Sequence, residues 1–326
     1  MTFVLRRAGQ AAIVLIAAFT ATFFLLQLLP GDAILIKFSD PSLGLSPEQL
    51  DDIRATYGAD VPWGEQYLHA GLGFLAGDFG YSTQYGTPVR TMLAEALPAT
   101  LLLAALGLLV AVVLAVLIAA LSALAPFAWL RDGLRQVPGL FVAVPVFWLG
   151  ILLIQVFSFG LGWVPIVGAD PVSGLILPVL TLAVPISAPL AQVLVRSIDR
   201  VQAQPFVTVV RAKGAPPAWV LTRAVARNAA VPTLTIAGVL FGELVGGAVV
   251  TETVFGRTGI GRLTEQAVAN QDIPVLQGVV LLSALGFVVI SFAVDLATPL
   301  IDPRQRRSAR AARSRPVRPA AQEVPA

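Results

Sequence analysis

Residues Phe206 to Pro232 read FVTVVRAKGAPPAWVLTRAVARNAAVP, a basic, glycine-hinged, helix-prone segment between two hydrophobic runs. Those runs, Gly174 to Val195 and Thr233 to Thr251, are long and apolar enough to be membrane helices, because a bilayer core takes roughly 20 apolar residues per helix. A membrane chain that keeps such a segment in water presents a docking surface.

The same pattern recurs on both sides. Ala8 to Leu29, Leu97 to Leu121, Val137 to Phe159 and Val275 to Pro299 supply four more runs, so the expectation is an all-α polytopic membrane protein with six transmembrane helices and both ends on one side. A hydrophobic share of 56%, only 13% charged residues and a mean hydropathy of +0.81 agree, since ordinary soluble domains do not reach these values. Lys and Arg are retained on the cytoplasmic face. With the N-terminus inside, 17 of the 22 basic residues are cytoplasmic and only Lys37, Arg54, Arg90, Arg257 and Arg262 are outside. Arg6 and Arg7 ahead of an apolar run suggest a signal peptide, but that run is 22 residues long and no small-x-small cleavage site follows Leu29. It reads as a retained helix.

Four regions follow: 1–29, the N-terminal segment and first span; 30–95, an external helical segment; 96–302, a core of five spans with a cytoplasmic loop at 205–231; and 303–326, a basic tail without periodicity, expected to be disordered. The external segment carries nine acids against three bases. Ser46-Pro47-Glu48-Gln49 reads as a helix start, with Ser46 as N-cap and Gln49 closing a capping box, and the helix is expected to end at Gly58. A second helix is predicted over Trp63 to Leu75, before the turn Gly77-Asp78-Phe79-Gly80. So small and polar a segment should rest on the outer ends of the spans.

The exclusions are as informative. Without cysteine there is no disulfide framework, iron–sulfur cluster or thiolate zinc site. His69 is the only histidine, so a histidine-built metal centre or Ser-His-Asp triad is not expected, and His69 reads as an interfacial side chain. Neither Lys37 nor Lys213 follows a glycine, so there is no phosphate-cradling Gly-Lys-Ser/Thr loop. No catalytic residue, metal ligand or nucleic-acid contact is expected, and no cofactor on this chain.

Within 205–231, Pro205 ends one helix, Phe206 to Lys213 makes two turns, Gly214 breaks them, and Trp219 to Ala230 resumes before Pro232. Glycine allows this elbow because it takes positive φ without steric cost. Arg211, Lys213, Arg223 and Arg227 are expected on its water-facing side. On these grounds alone an ordinary positive-inside loop fits as well. Pro145, Pro178, Pro185 and Pro189 fall inside spans and suggest helices bent around a cavity, though proline is also simply commoner in membrane helices. Two acids lie inside spans, where a charge at mid-bilayer costs roughly 2.5 to 3.5 kcal/mol. Asp295 sits near the cytoplasmic end and reads as structural. Glu243, beside Gly246 and Gly247, reads either as a helix–helix hydrogen bond or as a cavity-lining group.

Arg211-Ala212-Lys213-Gly214 and Arg227-Asn228-Ala229-Ala230-Val231-Pro232 resemble the cytoplasmic loop of permeases from binding-protein-dependent ABC importers, in particular B-type members of the peptide/nickel branch. The similarity covers nearly the whole chain: the arginine pair before the first span, Pro30-Gly31-Asp32, Leu45-Ser46-Pro47-Glu48, Gly77-Asp78-Phe79-Gly80, Glu252-Thr253-Val254-Phe255 with Gly259-Ile260-Gly261-Arg262, and Asp302-Pro303-Arg304. One departure stands out, since Thr208-Val209-Val210 occupies the place of the Glu-Ala-Ala that opens the general loop motif.

The resemblance implies a type I ABC importer permease fold in a bacterial inner membrane, with Phe206, Val210, Arg211, Ala212, Lys213, Gly214 and Ala215 coupling to a cytosolic ATPase. It also implies the partners: a homologous second permease, two ATPase subunits or a fused pair that hold ATP and Mg²⁺, and an external substrate-binding protein, often a lipoprotein. The acidic external segment, with Asp51, Asp52 and Asp78, is expected to receive that protein or else to brace the spans. Short peptides are the expected cargo, with nickel complexes or glutathione as alternatives. A self-sufficient secondary transporter is a competing class, but the chain shows no convincing internal repeat.

Overall fold

Helix α1 (Thr2–Gln27) lies against the last helix among the described residues, with Phe19 and Phe23 buried beside Leu281. In this computed structural model residues 2–27, 46, 48–49, 61–166, 168 and 170–301 are described. Beyond α1 come α2 (Trp63–Ala76), α3 (Val89–Leu124), α4 (Ala128–Ala143), α5 (Val146–Leu153, running on as a π-helix to Gly160) and α6 (Ser173–Gln202). The remainder are α7 (Pro205–Ala212), α8 (Pro217–Trp219), α9 (Ala226–Val254, joined to α8 by a π-helical Val220–Val225), α10 (Ile260–Ala269) and α11 (Ile273–Ile301).

The centre is the α3–α6 pair. α3 buries a stripe of small residues at helical spacing, Thr100, Ala104, Gly107, Ala111, Ala115, Ala119 and Ser122, and α6 answers with Ala183, Ser187, Ala188 and Ala191. Lipid tails are as apolar as leucine, so burial alone does not drive helices together in a bilayer; close backbone approach does. Gly107 shows the fit, because a Cβ there would sit 3.4 Å from the Leu182 Cβ. The opposite side of α3 exposes Leu102, Leu109, Val113, Val116, Leu117 and Leu121, an aliphatic face suited to lipid.

Among the described residues, five helices or helix runs are long and apolar enough to span a membrane: Arg6–Leu26, Val89–Leu124, Ser173–Gln202, Pro217–Val254 and Ile273–Phe292. The expected third span, Val137 to Phe159, falls on a pair, α4 and α5, bent by 101°, which makes a sixth span where the pair crosses as one broken span. Pro145 causes the bend. It cannot donate to the preceding turn, and it holds Val144 in an extended conformation at φ −89°, ψ 121°.

The other three prolines do not break their span: Pro178, Pro185 and Pro189 all lie inside the continuous α6. Pro178 deprives the Gly174 carbonyl of its helical donor, and the Arg257 guanidinium supplies a replacement at 3.0 Å. The expected end of the elbow's second helix before Pro232 is likewise corrected, since the helix continues through Pro232 to Val254.

The segment between α1 and α2 carries the expected helix start. The Ser46 amide donates to Gln49 Oε1 at 2.8 Å and the Gln49 amide donates to Ser46 Oγ at 3.3 Å, a reciprocal capping box. α2 ends at Gly77, whose φ of +77° suits glycine. Tyr67 packs on Phe19, Phe23 and Phe24, and its hydroxyl pairs with Thr20 Oγ1 at 2.8 Å, which ties α2 to the end of α1. The rest of the helix expected up to Gly58, with Asp51 and Asp52, the tail from Pro303 and the side chain of Asp295 lie outside the described residues.

Candidate functional site

The elbow is built on the bundle rather than hung from it. Gln204 is extended, Pro205 occupies the first helical position of α7, and the chain turns at Gly214 with φ +84° before Pro217 starts α8. Val207, Val220, Leu221 and Val225 are buried against Ala119 of α3 and Leu194, Ile198 and Val201 of α6. The other face is open. Phe206, Val209 and Trp219 are exposed apolar side chains, and Arg211, Lys213, Arg223 and Arg227 are all exposed around them. An apolar patch ringed by four cations suits an acidic-rimmed protein groove.

The residues expected at this site therefore divide. Phe206, Arg211, Ala212, Lys213 and Gly214 are exposed, whereas Val210 and Ala215 are partly buried on the core beneath and act as its footing. The Arg211 guanidinium also donates to Gln202 Oε1 at 3.2 Å, linking the elbow to the end of α6. Nearby, Arg135 of α4 meets Asp199 of α6 at 2.8 Å, a half-exposed ion pair. Trp219 and Val209 were not singled out from the sequence; a large aromatic beside two prolines in a water-facing loop is the signal that could have marked Trp219.

The opposite end of the bundle holds two buried carboxylates. Glu252 is 1% exposed, and its carboxylate accepts from Thr100 Oγ1 at 2.6 Å, the Gly261 amide at 2.8 Å and the Arg262 amide at 3.3 Å. The glycines of Gly259-Ile260-Gly261-Arg262 follow from this geometry. A Cβ on Gly259 would fall 2.2 Å from Glu252 Oε1, and one on Gly261 would fall 2.2 Å from the Val249 Cα. Asp272, also 1% exposed, accepts from the Ser82 hydroxyl and from the Thr83 and Gln84 amides, fastening the turn before α3 to the start of α11. Asp170 caps α6: hydrogen bonds from the Ser173 hydroxyl, then the Ser173 and Val172 amides, hold its carboxyl below the usual carboxylate range.

Glu243 differs from both buried acids. It is exposed on α9, as are Gly246 and Gly247, and it makes no hydrogen bond or ion pair among the described residues. Among the described residues, then, no helix-to-helix hydrogen bond reaches Glu243. Asp78 Oδ1 accepts from the Gly80 amide at 2.9 Å and stops α2. With Glu65 and His69 it borders a cleft of about 640 Å³ between α2, α1 and α11. Among the described residues no group of three or more His, Cys, Asp or Glu side chains is placed to hold a metal ion.

A bundle of membrane-length helices with a water-exposed basic elbow at one end is the frame of a multi-pass membrane transport subunit. Residues 111–307 match the binding-protein-dependent transport system inner membrane component family, residues 1–104 match the N-terminal membrane component model of the same transport systems, and the chain belongs to that family. It is a permease subunit of a binding-protein-dependent ABC importer, set in the inner membrane, in a family that works with ATPase and binding-protein partners.

A Brucella abortus (strain 2308) protein that carries the name of a peptide transport system permease is 35% identical over 311 residues, 93% of this chain and 98% of that one. The glutathione transport system permease protein GsiC of Escherichia coli (strain K12) is 33% identical over 284 residues, 87% and 92% of the two chains. The MetNI methionine ABC transporter in an inward facing conformation shares the fold, with TM-score 0.56 and 18% identity over 65% of this chain and 96% of its own.

Proposed function

We propose that this chain forms half of the translocation pathway of an ATP-driven importer for short peptides, delivered by an external binding protein, beside a homologous second permease. The observation that carries the coupling role is the two-faced elbow: one face is sunk in the α3–α6 core, the other is exposed, basic and apolar, and α8 runs without a loop into the membrane-crossing α9. A push on that surface has a helical path into the bilayer. ATP and Mg²⁺ belong to the ATPase partners, and this chain contributes no catalytic group. Its basic residues favour cytoplasmic termini and a cytoplasmic elbow.

Peptide cargo is supported by the 35% identical relative of that name, and glutathione, itself a tripeptide, falls in the same class. The test is reconstitution in liposomes with the second permease, the ATPases and the binding protein. ATP-dependent uptake of the peptides found on the co-purified binding protein by mass spectrometry is the expected result. Uptake by this chain alone, without ATP, would replace the proposal with a self-sufficient transporter.

A further inference from the structure

One helix face in the bundle does not match its surroundings. The exposed residues of α9 include Asn228, Pro232, Thr235, Val239, Glu243, Gly246, Val250 and Thr253, spaced by three or four throughout, so they form one stripe along the entire helix. The buried stripe, Ala229, Thr233, Ala237, Leu240, Leu244 and Ala248, packs into the bundle. On α3 the exposed face is aliphatic from Leu101 to Leu124, as lipid requires. On α9 the exposed residues mix Leu234, Val239 and Val250 with an amide, three hydroxyl or carboxyl groups and two glycines, and the carboxylate among them does not belong against lipid tails.

Glu243 is the charge on that stripe. No other ionisable residue occurs between Arg227 and Glu252, and Arg227 is sixteen residues away, about 24 Å along the axis. The apolar stretches of α3, α6 and α11 that flank it, Leu97–Leu121, Gly174–Val195 and Ile273–Phe292, contain no Lys or Arg. The described residues therefore offer this carboxylate no cation. There is room beside it: one turn on, a Cβ added to Gly246 would meet nothing within 4 Å.

We infer that the α9 stripe lines a water-filled path and that Glu243 is a subsite for a cationic group passing along it, an alkylammonium such as the free amino terminus of a short peptide. The inference rests on the cargo proposed above. The recurrence of polar or small residues along the stripe favours a passing solute over the second permease, because a polar contact with a partner needs one matching position and not several spread along the helix. A carboxylate standing alone in a water-filled path with low-dielectric walls attracts ammonium and repels carboxylate.

The absence of native cysteine makes the test direct. Val239→Cys, Gly246→Cys and, as a lipid-face control, Leu109→Cys are assembled with their partners and treated with the cationic trimethylammonium-ethyl and the anionic sulfonato-ethyl methanethiosulfonates. The stripe positions should label, Leu109→Cys should not, and the cationic reagent should react roughly tenfold faster, a preference that falls to parity when Glu243→Gln is added. At saturating binding protein Glu243→Gln should also lower peptide uptake roughly tenfold, with Glu243→Asp partly restoring it. Stripe cysteines that stay unreactive in a complex that imports peptide would overturn the inference, as would parity between reagents with Glu243 intact. A cation preference in a complex that carries no peptide would support the site and count against the cargo reading instead.

Discussion

Thr100 of α3 donates its hydroxyl hydrogen to Glu252 of α9 at 2.6 Å and accepts the Ile260 amide of α10 at 2.8 Å, so one side chain joins three helices at the end of the bundle away from the elbow. Removing the carboxylate by Glu252→Ala strands a hydroxyl and two amides, at roughly 1–3 kcal/mol for each group left unsatisfied. Glu252→Gln keeps an acceptor and should lose less. Thermal unfolding of the purified complex checks this: the alanine midpoint should lie several degrees below that of glutamine, and equal midpoints would deny these contacts a stabilising role.

The glycines around that carboxylate are required by space. Gly261→Ala forces a methyl into the Val249 backbone, which cannot yield as a side-chain tip can, and should cost about 1–3 kcal/mol through displacement of α10. Gly133→Ala, at an exposed α4 position where a Cβ meets nothing within 4 Å, should leave stability unchanged or raised. A complex carrying Gly261→Ala that unfolds at the wild-type temperature would show that α10 is not held as described.

Gly214 is a conformational requirement, because its φ of +84° disfavours any residue with a Cβ although the surrounding space is open. Gly214→Val should cost about 1–3 kcal/mol of local strain and shift the elbow's exposed face. Substrate-stimulated ATP hydrolysis and uptake should fall together while subunit assembly persists. Undiminished uptake by an assembled Gly214→Val complex would remove the elbow from coupling.

The half-exposed Arg135–Asp199 pair should matter little. Surface ion pairs are worth about 0–1 kcal/mol, so Arg135→Ala should move the unfolding midpoint by no more than a degree or two at moderate salt. A large loss would mean that the α4–α6 contact depends on charge more than on packing.

Orientation is checked with single cysteines. One at Ser46 should react with an impermeant reagent added outside intact cells, and one at Ser314 only after the membrane is opened. The reverse pattern would invert the assignment of the elbow to the cytoplasm.

What could be read before the structure was whatever depends on local chemistry. Long apolar runs, the Ser46–Gln49 box and the glycine stops of α2 and α7 rest on residues close together in the chain, so their spacing carries the information. The proline effects did not read uniformly. Pro145 bends its span and Pro178, whose freed Gly174 carbonyl meets the distant Arg257, does not. Glu252 was legible only as part of a motif at the water-facing end of a span, since its burial comes from α10 folding back onto Thr100. Two glycines spaced two apart, Gly259 and Gly261, were the available sign of that close approach. The exposure of Glu243 depends on which face of α9 turns inward, and the mixed composition of that helix gives little periodicity to decide it.

That choice of face has a mechanical origin in Val220–Val225. A π turn takes up one residue more than an α turn, and each such residue rotates all that follows by about 100° about the helix axis. The angular register of α9 is therefore set at its junction with the elbow. Tightening the widened turn by one residue would swing Glu243 away from its present bearing and carry Glu252 off Thr100 in the same movement.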